Sequence, residues 1–153
     1  MQGIVVYQSK WGNCRQIAEA ISRGLAEAGQ DVEVTPVASA GSPDPQLDFV
    51  VVGGPTRVGR AYGPIKRLAS KTKEGWTGKR FATFSTGATL YAKKPNTQAS
   101  ERIYELLQTN GLVPLAPPFK AGVTNMHGPL KEGEIERAEE FGRELAAKLS
   151  SEA

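Results

Sequence analysis

Short uncharged runs rich in β-branched residues alternate along the chain with segments of helical apolar spacing, and this alternation restricts the fold most strongly. The clearest runs are residues 3–8 and the segment FVVVGG that follows Asp48. Such runs are typical of strands that are buried on both faces of a parallel sheet. Between them, Ile17, Ile21 and Leu25 recur at helical spacing. The sequence therefore predicts buried strands that are joined by crossover helices.

The rest of the chain continues the alternation and predicts an α/β fold. Five strands alternating with helices specify a doubly wound five-stranded parallel sheet with helices on both faces, because parallel neighbours need right-handed crossovers. We expect residues 1–153 to form one domain. Pro114, Pro117 and Pro118 indicate that the fifth strand lies at an edge. The further predicted strands are 32–37, 81–84 and 112–117, and the predicted helices are 13–28, one around Ile65 and Leu68, 97–110 and 135–149.

Charge and cysteine content exclude several classes of protein. The net charge is +3, but the 19 basic residues are scattered among 16 acidic ones, which argues against nucleic-acid binding. Only residues 57–80 are clearly basic, and they form a solvated helix face or, alternatively, a docking surface. A single cysteine, Cys14, excludes an internal disulfide and a paired-cysteine zinc site. The longest apolar run is far shorter than the about 20 residues of a membrane span, and no signal peptide is evident, so we expect a cytoplasmic protein.

The loop SKWGNC leads directly from the first predicted strand into the first helix. In doubly wound sheets, ligands bind beyond the carboxyl ends of the strands, so the loops after strands one, three and four matter most. A strand-to-helix turn leaves backbone N–H groups unpaired where the helix dipole favours an anion. Gly12 allows close approach, and Ser9, Asn13 and more weakly Cys14 can donate hydrogen bonds. A phosphate would fit here, although Ser9 or Asn13 could simply cap the helix.

This first loop resembles the phosphate loop of flavodoxins, in which Thr or Ser, any residue, Thr or Tyr, Gly, Asn and Thr precede a helix. The chain has Trp11 where Thr or Tyr is usual and Cys14 in place of the closing Thr. The resemblance implies a flavodoxin-like sheet with strand order 2-1-3-4-5 and FMN as the cofactor. Since each missing hydroxyl costs on the order of 1 kcal/mol, we expect loosely held FMN. The resemblance to flavodoxins also implies that the FMN phosphate is bound by Ser9, Asn13 and the backbone N–H groups of Lys10, Trp11, Gly12, Asn13 and Cys14.

The second loop, GGPTRVGRAYG, resembles the flavin loop of quinone oxidoreductases of the tryptophan-repressor-binding-protein type. In those proteins PTR, an aromatic residue and Gly follow the strand, and here Val58 replaces the aromatic residue. A turn into a helix with a solvated Arg57 is an equal alternative. The resemblance implies contacts with the flavin ring from Pro55, Thr56, Arg57, Val58 and Gly59.

The third loop, FSTGATLY, is similar to the Ser-Thr-Gly-Thr stretch that the same oxidoreductases place around the flavin and its ribityl chain. Tyr91 is a candidate to stack on the ring, as the third-loop aromatic does in many flavodoxins, or else an exposed tip residue. Trp11 and Tyr62 compete for contact with the other face of the ring. The matching positions are Ser85, Thr86, Gly87, Ala88 and Thr89.

Together the three loops imply an FMN-binding, flavodoxin-like electron-transfer protein. A response-regulator receiver is excluded, because Gln8-Ser9 and Gly53-Gly54 stand where that class needs acidic residues. The alternatives are an NAD(P)H-dependent quinone or nitro-compound oxidoreductase that uses FMN, and a flavodoxin-fold binding module without FMN. Because the net charge is positive, we expect a less reducing potential than in acidic flavodoxins and a redox partner protein with an acidic docking face.

Two single residues complete the predictions. His127, the only histidine, is interpreted as a loop residue rather than a catalytic base, and no catalytic or metal-binding residue is assigned. Cys14 lies near a helix N-terminus beside Lys10 and Arg15, which would lower the pKa of its thiol. We therefore expect the FMN-free protein to be alkylated at Cys14 and FMN to protect it.

Overall fold

All the described strands run parallel in one sheet, and this is the arrangement that the sequence predicts. The computed structural model describes residues 1–9, 11–56, 63–88, 99–125 and 127–151. The order is β2-β1-β3-β4-β5, with β6 also paired to β4. Within the described residues the strands are β1 (Gln2–Tyr7), β2 (Asp31–Pro36), β3 (Phe49–Pro55), β4 (Arg80–Gly87), β5 (Val113–Pro114) and β6 (Phe119–Gly122), and the helices are α1 (Asn13–Glu27), α2 (Gly63–Lys71), α3 (Ala99–Thr109) and α4 (Glu134–Ser151).

The edge of the sheet beside β4 is formed by two short pieces, of which β5 lies within the predicted fifth strand, residues 112–117, and β6 lies beyond it. β5 pairs with the start of β4 and β6 with its end, so both lie on the same side of β4. Prolines at 114, 117 and 118 cannot donate a backbone hydrogen bond, which explains why the ladder stops between the pieces. In the gap, the Nζ atom of Lys148 donates to the Leu115 carbonyl at 2.8 Å. The edge position is confirmed, and the continuous strand through residue 117 is wrong.

Helices cover both faces of the sheet. Val5 and Val51 belong to the core that includes residues of α1 and α4, whereas Val6 and Val52 belong to the core that includes residues of α2 and α3. This alternation follows from the pleat, which points successive side chains to opposite faces. Among the helices that the structure describes, none is long and apolar enough to cross a membrane.

α1 and α4 approach each other closely at two glycines. A Cβ atom on Gly24 would collide with the backbone oxygen of Glu139, and one on Gly142 would collide with the backbone oxygen of Ile21. Glycine is needed at such a crossing because any side chain would separate the two backbones. The contact fixes α1 against α4.

Candidate functional site

The parallel register brings the carboxyl ends of β1, β3, β4 and β6 to one edge of the sheet. At this edge, the turn between β1 and α1 leads into the helix. Gly12 is the N-cap residue of α1 and lies in the left-handed region, at φ +88°. The Ser9 hydroxyl accepts a hydrogen bond from the Gly12 N–H at 3.0 Å. Within the described residues no side chain caps the first turn of α1, and that turn contains no acidic residue. The alternative that Ser9 or Asn13 caps α1 is therefore wrong.

The donors of this turn fit a phosphate group. The Ser9 hydroxyl acts as acceptor towards Gly12, so its own proton can still be donated. The side-chain amide of Asn13 donates one of its two hydrogens to the His127 carbonyl at 3.2 Å, which leaves the other. The space where a Gly12 side chain would stand is open among the described atoms. Neutral donors at the positive end of a helix dipole favour an anion.

The Cys14 side chain points away from the surface. It is 1% exposed, and its Sγ atom lies 3.2 Å from the Thr86 hydroxyl oxygen. Burial raises the pKa of the Cys14 thiol from 9.0 to about 12, although the hydrogen bonds to Thr86 oppose the shift. The expectation of a lowered pKa is therefore wrong, because desolvation of the buried thiol is the largest cause of the shift. Cys14 links the first loop to the third loop instead.

The second and third loops are joined through backbone and hydroxyl groups. The Thr56 N–H donates to the Thr86 carbonyl at 2.8 Å, and the Thr56 hydroxyl accepts from the Ala99 N–H at the start of α3 at 2.9 Å. Ser85 is fully buried, and its hydroxyl is 2.8 Å from that of Ser100. Both hydroxyls therefore attach the loops to α3.

The structure describes only some of the predicted site residues. Ser9, Trp11, Gly12, Asn13, Cys14, Pro55, Thr56, Ser85, Thr86, Gly87 and Ala88 are described, and they lie at the carboxyl edge of the sheet. Pro55 is the register partner of Thr86, and Ala88 is exposed just beyond β4. The remaining predicted residues, Lys10, Arg57, Val58, Gly59, Thr89 and Tyr91, and the further ring-contact candidate Tyr62, lie outside the described residues.

A fourth segment, which the sequence did not assign to the site, contacts the first loop. It follows β6, and its His127 ring lies against the Trp11 ring, with a centroid separation of 4.4 Å and an interplanar angle of 32°. The His127 carbonyl also accepts the Asn13 hydrogen bond described above. The available signal was its position after the last strand of a parallel sheet, at the same edge as the other loops.

Comparisons with known proteins agree with this architecture. A family model described as Flavodoxin domain matches residues 4–122. A flavodoxin from the domain Archaea is 22% identical with a TM-score of 0.77, covering 98% of this chain and 99% of that chain. A Streptococcus pneumonia TIGR4 flavodoxin is 22% identical with a TM-score of 0.80, covering 97% and 99%. A flavodoxin, WrbA-like protein from Agrobacterium tumefaciens is 20% identical with a TM-score of 0.74, covering 99% of both chains.

Proposed function

The chain belongs to the flavodoxin domain family, and from that premise we propose that it is a cytoplasmic electron-transfer protein that binds FMN. The observation that carries the proposal is the first turn of α1, where Gly12 is left-handed and no described side chain caps the helix. Bound FMN would supply a flavin ring that accepts and releases electrons. The protein would hold the phosphate with Ser9, Asn13 and the backbone N–H groups of residues 10–14, except that of Gly12, which donates to the Ser9 hydroxyl.

The second and third loops are proposed to hold the flavin and its ribityl chain. Their junction, where the Thr56 N–H meets the Thr86 carbonyl, supports this because it fixes both loops beside the first loop. Ser85 and Cys14 would act by supporting the backbone, since their side chains are buried and bonded within the protein. The proposal also includes Pro55, Arg57, Val58, Gly59, Gly87, Ala88, Thr89 and Tyr91.

Titration with FMN and with riboflavin tests the phosphate site. We expect FMN fluorescence to be quenched by the FMN-free protein, and FMN to bind at least about tenfold tighter than riboflavin, which lacks the phosphate. Ser9→Ala should weaken FMN about fivefold and leave riboflavin unchanged. Ser42→Ala, at an exposed serine far along the chain, is the control. Equal affinity for the two flavins, or quenching of neither, would contradict the proposal.

The exposed side of α2 and the residues after it are proposed to dock an acidic redox partner. Lys66, Arg67, Lys71 and Lys73 are exposed there, and none of them forms an ion pair with another part of the chain that the structure describes. α2 begins shortly after the second loop, at the edge of the sheet that carries the site. A positive surface beside an electron-transfer site raises the encounter rate with negative partners.

Charge reversal tests this surface. We expect Lys66→Glu to slow electron transfer from the reduced FMN-loaded protein to ferricyanide, an anionic acceptor, by about threefold at low salt, with little difference at high salt. Arg23→Glu, the same charge change on α1 and the opposite face of the sheet, is the control. If both variants slow the reaction equally, only the net charge matters and α2 is not the docking surface.

A flavin-dependent oxidoreductase is the second candidate function. The observation that favours it is the contact between Thr56 and Thr86, which lie in the two segments that resemble quinone oxidoreductases. Oxidation of NADPH with benzoquinone by the FMN-loaded protein alone would favour this enzyme over the carrier. A binding module without FMN is the third candidate. It is favoured by Trp11, Cys14 and Val58, which depart from the family patterns, and it requires that FMN fluorescence stays unquenched.

A further inference from the structure

The connection between β6 and α4 is a hairpin held by its own hydrogen bonds. Val123 and Leu130 form an antiparallel bridge, and both the N–H and the hydroxyl of Thr124 donate to the Pro129 carbonyl, at 2.9 and 3.2 Å. Backbone groups whose hydrogen bonds are satisfied within one segment give that segment a defined shape. The hairpin is therefore stabilised in part by hydrogen bonds within its own segment.

Its tip, which we define as Asn125, His127 and Gly128, is also internally bonded. The side-chain oxygen of Asn125 accepts from the His127 N–H at 3.0 Å, and its carbonyl accepts from the Gly128 N–H at 3.1 Å. Gly128 adopts φ +99°, a region that other residues rarely enter. These bonds aim the His127 carbonyl and ring at the first loop.

Contacts at His127 and Gly128 join the hairpin tip to the first loop. The His127 ring lies against Trp11, and the His127 carbonyl accepts from the Asn13 side-chain amide. Another contact is at Gly128, where a Cβ atom would lie 2.6 Å from Oδ1 and 2.8 Å from Nδ2 of Asn13. Asn13 is thus packed against a bare glycine and is only 7% exposed.

We infer that the hairpin tip is a positioning element for the phosphate-binding turn, an inference that rests on the proposed binding of FMN. Trp11 and Asn13 stand on either side of Gly12, the residue with the greatest backbone freedom in the turn. Holding both neighbours reduces the freedom that the turn would lose when a phosphate binds, and such preorganisation raises affinity. His127 and Gly128 act through Trp11 and Asn13, so they are positioning residues and not ligands.

Selectivity between two flavins separates this role from general support of the fold. An element that acts through the phosphate-binding turn should change the affinity for FMN and leave that for riboflavin unchanged. Gly128→Ala places a methyl group against Asn13, and we expect it to weaken FMN binding about tenfold with riboflavin binding changed less than about twofold. Gly133→Ala is the matched control, because Gly133 has φ +86° in the same connection but no atom of the described residues within 4 Å of its ideal Cβ. It places alanine at a similarly positive φ without the contact to Asn13.

Substitution of His127 tests the ring contact separately. His127→Ala removes the ring and should weaken FMN binding about threefold, whereas His127→Phe keeps an aromatic ring against Trp11 and should restore most of it. In the FMN-free protein, His127→Ala should also make tryptophan fluorescence easier to quench with acrylamide. That signal would come from Trp11, because Trp76 is 3% exposed and its indole N–H is bonded to the Asp44 carbonyl.

The outcomes distinguish the inference from the function on which it rests. Loss of FMN binding without loss of riboflavin binding in Gly128→Ala, but not in Gly133→Ala, supports the positioning role. Equal losses for both flavins, or no loss in Gly128→Ala and His127→Ala, would overturn it while leaving the FMN site intact. If the unaltered protein binds FMN no better than riboflavin, the phosphate site itself is wrong and the inference fails with it.

Discussion

We expect Gly142→Ala to lower the free energy of unfolding by about 2–4 kcal/mol, although alanine is the better helix former. Gly142 lies where α4 crosses α1, and a Cβ atom there would collide with the Ile21 carbonyl oxygen and stand 3.0 Å from the Leu25 nitrogen. Both are backbone atoms of α1, which cannot rotate away as a flexible side chain could. The added methyl group must therefore separate two helices that share one core.

Urea unfolding of the variant and the unaltered protein measures this effect. Ala147→Gly, at an exposed position of the same helix, provides the control for helix propensity and should cost about 1 kcal/mol or less. The loss at position 142 should exceed that of the control, even though the exchange of residue types runs in the opposite direction. A Gly142→Ala protein as stable as the unaltered one would show that α1 and α4 can separate at little cost.

Much of the fold is predictable from local patterns. The predicted bounds of helix α1 agree with the structure to within one residue, since the helix spans Asn13–Glu27. The prediction succeeds because the apolar residues of the helix recur at regular spacing. Strand β3, Phe49–Pro55, includes the whole uncharged run, since every residue of it is buried. The crossing at Gly24 and Gly142 was not predictable in this way. It depends on the distance between two helices that are far apart in the sequence, and a glycine inside a helix has several possible explanations.

In the candidate site, too, local features were predictable from the sequence and contacts between distant segments were not. The turn of residues 9–14 was identifiable because one continuous segment carries the glycine, the donors and the start of the helix. The contact of Trp11 with His127 was not, because it joins positions more than a hundred residues apart through the orientation of two rings. For Cys14 the local sequence led to a wrong prediction, because the neighbouring charges indicated a lowered pKa of the thiol. Burial by the surrounding elements decides that value, and burial is a property of the tertiary structure.

We expect native Cys14 to react with iodoacetamide at pH 8 about a thousandfold more slowly than an ordinary thiol. The thiolate is the reactive form, and a rise of the pKa from 9.0 to about 12 lowers its fraction by about a factor of ten per unit. Its burial adds a steric barrier to the same reaction. Ser42→Cys in a Cys14→Ala background supplies an exposed thiol as the control. If the native protein is labelled rapidly and FMN slows this labelling, Cys14 is a reactive cysteine, as expected from the sequence, and the raised pKa is wrong.

The raised pKa of Cys14 also predicts a loss of stability at alkaline pH. Below about pH 9 the thiol keeps its proton in both states, so its contribution to stability is fully present. Between pH 9 and about 12 the unfolded chain releases the proton while the folded protein retains it. The free energy of unfolding should then fall by about 1.4 kcal/mol per pH unit from this group.

Other residues titrate in the same range, so the measurement is the difference between the unaltered protein and Cys14→Ala in urea unfolding at pH 8 to 11. Cavity formation shifts that difference by a constant, whereas the thiol makes it change with pH; parallel curves would mean that Cys14 ionises as easily in the folded protein as in the unfolded chain.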